Sequence, residues 1–190
     1  MSPFQGKAII FSAPSGSGKT TLVRYLLTTN SNLSFSISAT TRTQRDSEIH
    51  ERDYYFFSPD EFRQELQKDA FIEYQEVYPD CYYGTLKSEI DRIWSDQKNV
   101  IFDVDVKGGV NLKNYFGDQA LAIFVRPPSL NTLQERLSAR NTDSVQSIQH
   151  RLDKAEYELK FEKLFDLTVL NDDLEEAKRE VQQLYRTFTQ

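Results

Sequence analysis

The feature that most constrains this chain is a glycine-rich turn between an apolar run and an amphipathic segment. Residues 7–12 (KAIIFS) form a short apolar run, which predicts a buried strand. They lead directly into residues 13–20 (APSGSGKT), and apolar residues then recur at helical spacing from about Lys19. The unpaired backbone N–H groups at a helix N-terminus are suited to bind phosphate oxygens. The pattern therefore predicts a phosphate-binding loop.

The loop nearly fits the nucleotide-binding pattern G-x-x-x-x-G-K-[ST], with Ala13 in place of the first glycine. In this pattern the lysine, here Lys19, reaches the β- and γ-phosphates, and the hydroxyl of Thr20 is offered to Mg²⁺. The alternative is a glycine-rich turn without a ligand, but the strand before it and the helix after it favour a nucleotide. The predicted ATP-binding residues here are Ala13, Pro14, Ser15, Gly16, Ser17, Gly18, Lys19, Thr20 and Thr21.

Three further apolar runs predict more buried strands, at residues 99–105 (NVIFDVD), 120–125 (ALAIFV) and 167–171 (LTVLN). Each is followed by a helix-like segment. Apolar strands without polar alternation, separated by helices, indicate a parallel sheet that is buried on both faces. Two segments interrupt this order. Residues 35–87, rich in aromatic and charged side chains, predict a small α+β insert, and the polar residues 140–151 predict a lid.

The expected organisation is one domain, with a core of about residues 1–34, 88–139 and 152–190. The formal net charge of −6 argues against a nucleic-acid binder, which would present a basic face to the phosphate backbone. No apolar run approaches the ~20 residues of a membrane span, and the N-terminus does not resemble a signal peptide. A single cysteine, Cys81, is typical of a reducing compartment, so a cytoplasmic location is expected.

Several separate stretches of the chain closely resemble the guanylate kinase family in the same order and spacing. They are APSGSGKTTL, SATTRTQRDSE, DYYFFSPDEF, FIEY, YYGT, IFDVDVKGG, ERLSARNTD, IQHRL and LNDDLEEA. The resemblance covers nearly the whole chain and implies an α/β fold of the P-loop NTPase type, with a parallel sheet flanked by helices, a GMP-binding insert and a short lid. The implied reaction is ATP + GMP ⇌ ADP + GDP, with Mg²⁺ as cofactor, in purine nucleotide metabolism and GMP recycling.

The resemblance also assigns residues to the two substrates and to the transfer. The GMP-binding positions are Ser38, Arg42, Arg45, Glu48, Tyr54, Glu73, Tyr83, Thr85 and Asp105. The residues credited with catalysis are Lys19, Arg45, Arg140 and Arg151. Asn171 and Asp172 match the site beside the adenine of ATP. Thr85 stands where the family usually has serine, and Tyr82 and Tyr83 could exchange roles.

The chemistry of GMP explains why these residue types are expected. The guanidinium groups of arginines such as Arg42 and Arg45 bind phosphate oxygens bidentately. The alternative is that these arginines form surface ion pairs with nearby carboxylates. Guanine donates hydrogen bonds from N1 and N2 and accepts one at O6. A carboxylate such as Glu73 or Asp105 would therefore accept the former, and a hydroxyl such as Ser38 or Thr85 would donate to the latter.

Two aspartates close the run at residues 99–105, at the sheet edge where ligands of open α/β folds bind. We expect Asp103 to support Mg²⁺, partly through water, and Asp105 to face GMP. The sequence alone leaves open which carboxylate serves which ligand, and the alternative role is that of a turn or capping residue.

Two other functions are compatible with the resemblance. One is a binding module that keeps the fold and recognises proteins or phosphopeptides, and the other is a kinase of another phosphorylated substrate. The intact Lys19 and Thr20 argue against the first, and the set Arg42, Arg45 and Glu73 argues against the second. The sequence does not distinguish a monomer from a homo-oligomer.

Overall fold

The computed structural model describes residues 4–139 and 145–190. In chain order its helices and strands are β1 (Ala8–Ser12), α1 (Lys19–Thr29), β2 (Leu33–Phe35), β3 (Ala39–Thr40), β4 (Tyr55–Phe56), α2 (Pro59–Gln67), β5 (Phe71–Tyr78), β6 (Cys81–Leu86), α3 (Lys87–Ser95), β7 (Asn99–Val104), α4 (Val106–Phe116), β8 (Ala120–Arg126), α5 (Leu130–Ser138), α6 (Val145–Leu159), β9 (Leu167–Leu170) and α7 (Leu174–Thr189).

The larger sheet is parallel and has the strand order β2-β7-β1-β8-β9. The central strand β1 is fully buried, with Ile9 and Phe11 facing a core that α1 and α7 complete. Ile10 faces the opposite core, built with α3 and α4. Because helices cover both faces, every residue of β1 is shielded from water, which explains the unbroken apolar run. The predicted α/β fold with a helix-flanked parallel sheet is confirmed.

The smaller sheet lies within residues 39–86 and has the strand order β4-β3-β6-β5. Helix α2 packs on it through Phe62, whose ring stacks on Phe71 at 4.3 Å and on Tyr82 at 5.1 Å between centroids. A capping box between Ser58 and Glu61 fixes the start of this helix. Strands β2, β3 and β6 and helix α3 were not predicted from the sequence. The strands have no distinctive period, whereas Ile90, Ile93 and Trp94 of α3 recur at helical spacing.

The segment predicted as a lid, residues 140–151, divides into two parts. Residues 140–144 lie outside the described residues, and with them Arg140. Residues 145–151 form the beginning of α6, which packs against α5 through Ala155, Leu133 and Leu137. Within residues 4–139 and 145–190, no helix combines the length and the apolar character that crossing a bilayer requires.

A buried carboxylate joins the smaller sheet to the core. Glu89, on α3, is 1% exposed and accepts the backbone N–H of Ile37 at 2.9 Å and the hydroxyl of Tyr55 at 2.8 Å. It also accepts two hydrogen bonds from the guanidinium of Arg92, at 2.8 and 2.9 Å. Burial and the Glu89 carboxylate raise the pKa of Tyr55 to about 12. This one side chain of α3 therefore connects its helix to the segment that enters the smaller sheet and to strand β4.

We expect Glu89→Ala to lower the free energy of unfolding by about 2–3 kcal/mol, because the N–H of Ile37 and the guanidinium of Arg92 lose their shared acceptor. Chemical denaturation measures this. The matched control is Glu175→Ala, which removes a surface carboxylate paired with Lys178 at the same helical spacing. It should change stability by less than about 0.5 kcal/mol. Equal effects of the two substitutions would contradict the role of Glu89.

Candidate active site

The loop after β1 has the backbone geometry of an anion-binding turn. Gly16 and Gly18 have φ angles of 94° and 87°, in the left-handed region that favours glycine. Gly18 is the N-cap of α1, and no described side chain caps that helix, so its first N–H groups remain available to a ligand. Ala13 is not among the non-glycine residues of positive φ in the described chain, so its methyl group causes no backbone strain.

Asn171 supports this loop through a buried hydrogen bond. Its Nδ2 donates to the carbonyl oxygen of Ser17 at 2.7 Å, and the residue is 4% exposed. A Cβ on Gly18 would collide with the same Nδ2, so the position needs glycine for space as well as for φ. Arg136 donates from Nη2 to the Asn171 carbonyl oxygen at 3.0 Å. The neighbouring Asp172 is exposed.

The parallel pairing of β1 with β7 brings the loop to Asp103. Phe11 lies opposite Asp103 in the register, so the chain that leaves β1 passes the end of β7. The Asp103 carboxylate is 2.7 Å from Nζ of Lys19 through Oδ1 and accepts the hydroxyl of Thr20 at 2.6 Å through Oδ2. Lys19 Nζ also donates to the carbonyl oxygen of Val104 at 2.5 Å. The first helical residues and the strand end thus form one polar cluster.

Two cavities meet at this cluster. The first, of about 230 Å³, lies between the smaller sheet and the end of β7, and Ser38, Tyr54, Glu73 and Tyr83 are among its lining residues. The second, of about 340 Å³, lies over the loop and is lined by all residues from 13 to 21. Asp103, Val104, Asp105 and Lys154 line both. A molecule in one cavity would therefore be adjacent to a molecule in the other.

Two carboxylates, those of Glu73 and Asp105, line the first cavity, and the buried Thr85 supports the first of them. Glu73 Oε1 accepts the hydroxyl of Thr85 at 2.8 Å. Burial raises the pKa of Glu73 to about 7, and the charge of Asp105 adds to this effect, while the hydrogen bond from Thr85 opposes it. Asp105 caps α4 by accepting the N–H of Gly108 at 2.8 Å. The capping role that the sequence left open for Asp105 is therefore real, and the same side chain also borders both cavities.

Tyr54 and Tyr83 also line the first cavity, and both contact Arg42. Arg42 forms a bidentate pair with Glu48 at 2.8 and 2.9 Å, and its Nε donates to the hydroxyl of Tyr83 at 3.2 Å. This arginine, followed by the backbone N–H of Arg45, lowers the pKa of Glu48. The guanidinium of Arg42 lies 5.2 Å from the ring centroid of Tyr54. Burial raises the pKa of Tyr54.

Of these two arginines, Arg45 is the exposed one. Its side chain is 74% exposed, and its Nη1 is 3.9 Å from Glu48 Oε1. Tyr82 stacks on Phe62 in the smaller sheet's core, whereas Tyr83 contacts Arg42. The structure therefore places Tyr83, and not its neighbour, at the cavity.

Helix α6 contributes side chains from the other direction. Arg151 donates from Nη1 to the hydroxyl of Ser15 at 2.9 Å, so this residue reaches the loop. Sequence reasoning missed Lys154 and Glu158, which follow it on the same helix and line the second cavity. Their spacing from Arg151, three and seven residues, is the signal that could have identified them, because it puts all three on one helical face.

Comparison with known proteins identifies the family. The sequence model of guanylate kinases matches residues 5–187. The guanylate kinase of Bacteroides thetaiotaomicron is 52% identical over 183 residues, which cover 96% of this chain and 90% of the relative. That of Porphyromonas gingivalis is also 52% identical over 183 residues, covering 96% and 97%.

The fold agrees with a solved structure from another organism. The crystal structure of guanylate kinase from Anaplasma phagocytophilum has a TM-score of 0.74 at 24% identity, and the match covers 98% of this chain and 87% of that one. The resemblance seen in the sequence motifs is confirmed by the family match and by the two relatives of 52% identity. This chain belongs to the guanylate kinase family, whose reaction is the transfer of the γ-phosphoryl group of ATP to GMP.

Proposed function

We propose that this chain phosphorylates GMP by holding ATP on the loop of residues 13–21 and GMP in the first cavity. One observation carries the proposal: the two cavities share Asp103, Val104 and Asp105 at the end of β7. An acceptor phosphate and a donor phosphate would therefore lie side by side. A phosphate oxygen of GMP would bond to the γ-phosphorus of ATP, while the bond from that phosphorus to the bridging oxygen breaks and ADP leaves with its electron pair.

We assign the smaller sheet to GMP, as part of an insert of about residues 35–87. Glu73 would accept N–H groups of guanine, and a hydroxyl such as Ser38 would donate to O6. Thr85, already bonded to Glu73, orients that carboxylate. Adenine presents a different pattern and would leave these buried groups unpaired, at about 1–3 kcal/mol for each group.

The phosphate of GMP would bind where the arginines and tyrosines meet. Two hydrogen bonds to Glu48 hold the guanidinium of Arg42 in place, and the hydroxyl of Tyr83 lies beside that guanidinium. Tyr54 would add a second phenolic donor. Arg45, being exposed, would be free to turn toward the incoming phosphate. The bidentate geometry of arginine suits this task better than the point charge of lysine.

Mg²⁺ is the cofactor that we propose. The hydroxyl of Thr20 and a carboxylate oxygen of Asp103 converge at the end of β7. Oxygen atoms are the ligands that Mg²⁺ prefers, and it commonly takes one or two from a protein and the rest from phosphates and water. The residues present therefore fit this ion. When bound, it would neutralise charge on the β- and γ-phosphates.

Catalysis would rest on positioning and charge stabilisation, because phosphoryl transfer has a loose transition state and needs no dedicated base. We assign this role to Lys19, Arg45, Arg140 and Arg151. Arg151 already contacts the loop through Ser15, and the polar segment of about residues 140–151 would serve as the lid. Asn171 and Asp172 would lie beside the adenine, with Asn171 also supporting the loop. The cytoplasmic location and the lack of a nucleic-acid partner stay predictions from composition.

The first test is substrate selection. In a coupled assay of ADP production, kcat/KM for AMP should be about 1,000-fold or more below that for GMP. Glu73→Gln should lower kcat/KM for GMP about 100-fold, because an amide cannot accept both N–H groups, and should leave the KM for ATP unchanged. Glu76→Gln, an exposed position on the same strand, is the control. Equal use of AMP and GMP would contradict the guanine assignment.

The second test is the pH dependence of GMP binding. Because burial raises the pKa of Glu73 to about 7, this carboxyl is protonated below that pH in the free protein and must lose its proton to accept two N–H groups. The KM for GMP should therefore rise about tenfold for each pH unit below 7 and level off above it. In Glu73→Gln, only the weaker titration of the GMP phosphate should remain. A wild-type profile identical to that of the variant would refute the role of Glu73.

The third test concerns Arg151. We expect Arg151→Ala to lower kcat about 100-fold while KM for ATP changes less than about threefold, since the guanidinium acts mainly in the transition state. Steady-state kinetics with both substrates varied measure this. Arg179→Ala, which removes an exposed arginine of α7, should leave both parameters unchanged. An unaltered kcat in Arg151→Ala would disprove its assignment.

A further inference from the structure

Lys154 occupies a position that the family resemblance does not explain. Of the four described residues that border both cavities, it carries the positive charge, and Asp103 and Asp105 carry negative charges. It comes from α6 and not from the loop or the smaller sheet. A lysine at the boundary of two phosphate sites would lie next to the group that moves between them.

We propose that Lys154 is a further catalytic residue, whose ammonium group contacts the migrating phosphoryl group where the two cavities meet, and that Glu158 is the positioning residue that holds it there. The inference rests on the proposed function, because it requires ATP and GMP to occupy the two cavities. The inference assigns to the proposed site one more cation, which comes from α6 and is not part of the sequence motifs.

The charge balance at the shared boundary supports a cation at this place. Asp103 is matched by Lys19, at 2.7 Å, while Asp105 accepts a backbone N–H at 2.8 Å. Two polyphosphates brought to this boundary would add several more negative charges within a few ångströms. Like charges at such separations repel strongly in a partly desolvated site. A further ammonium group here lowers that repulsion.

Glu158 forms an ion pair with Lys154. The carboxylate Oε1 lies 3.6 Å from Nζ of Lys154, one helical turn away, and the Glu158 side chain is 7% exposed while that of Lys154 is 55% exposed. Burial raises the pKa of Glu158, and the charges of Lys154 and Lys19 oppose this effect. A buried carboxylate beside the loop is therefore paired with an ammonium group that still faces the open cavity.

The orientation of α6 follows from packing. Ala155 is fully buried against Leu133 and Leu137 of α5, with Leu152 beside it. This fixes the apolar face of the helix, so Arg151 and Lys154 project on the face that meets the loop, as the contact of Arg151 with Ser15 shows. The core therefore fixes the helical face on which Lys154 lies.

A simple surface ion pair is the other explanation of Lys154 and Glu158. Exposed lysine–carboxylate pairs one turn apart are common and contribute little to stability. In such pairs both side chains are solvated, whereas Glu158 is buried and lines the loop cavity. A buried carboxylate needs a compensating cation, and placing both at a phosphate site favours the catalytic role.

The kinetic experiment uses the full chain with four substitutions: Lys154→Met, which keeps the length of the side chain and removes the charge, Lys154→Arg, Glu158→Gln and Lys160→Met. The last is the control, because Lys160 is exposed on the same chain segment and away from both cavities. We expect Lys154→Met to lower kcat about 50-fold with both KM values within threefold, and Lys154→Arg to restore most of it. Glu158→Gln should lower kcat about fivefold, and the control should match the wild type.

A binding measurement separates this role from a structural one. The probe is a bisubstrate analogue in which adenosine and guanosine are joined by a polyphosphate, compared with ATP alone and GMP alone. Lys154→Met should bind the analogue about 30-fold more weakly and each single nucleotide within threefold, because the ammonium group acts where the phosphates meet. Thermal unfolding should be unchanged, and Lys154→Gln provides a second neutral variant should Lys154→Met be unstable.

The outcomes distinguish this inference from the proposed function. Wild-type protein that fails to phosphorylate GMP would overturn both. If the wild-type protein is active and both Lys154→Met and Lys154→Gln have a kcat within twofold of the wild-type value, only the inference about Lys154 is overturned. An unchanged affinity of the neutral variants for the bisubstrate analogue would also overturn it, whatever their kcat.

Discussion

The parallel pairing of β1 with β7 is the constraint on which the rest of the structure depends. It brings the N-terminus of α1, with Lys19 and Thr20, to the carboxyl end of β7, where Asp103 lies. Parallel strands end at the same edge, so the loop after one and the carboxylates of the other must meet there. The smaller sheet and α6 reach the same edge from two sides. Both proposed nucleotide sites therefore lie around one strand end.

A common electrostatic arrangement recurs around this edge. Lys19 is paired with Asp103, Arg42 with Glu48 and Lys154 with Glu158. Each pair places a carboxylate oxygen 3.6 Å or less from a nitrogen of the cation. Phosphate oxygens can then compete with or join the carboxylate, so that little reorganisation of the protein accompanies binding. Prearranged charge of this kind is what phosphoryl transfer requires, since the chemistry demands stabilisation of spread negative charge.

Much of the core was predictable because its signals are local. Unbroken apolar runs indicated β1, β7, β8 and β9, and the glycine pattern indicated the loop, whose conformation depends on Gly16 and Gly18. The short strands β2 and β3 were not predicted, since their few residues have no clear period, and the helical spacing of Ile90, Ile93 and Trp94 in α3 was missed. The cavity residues of the loop and of the smaller sheet came from motif resemblance. Lys154 and Glu158 were missed because no motif marks them, and only their helical spacing from Arg151 connects them to the site.

By itself, the sequence determined the phosphate-binding loop, the parallel α/β core and the family, because these depend on residue types at fixed spacing along the chain. The tertiary structure decided which side chains share a cavity. It showed that Asp103 meets Lys19 and Thr20 while Asp105 caps α4, that Tyr83 rather than Tyr82 reaches Arg42, and that α6 turns a lysine toward both cavities. These facts depend on register, helix rotation and burial, which arise from packing between segments that are distant in the chain.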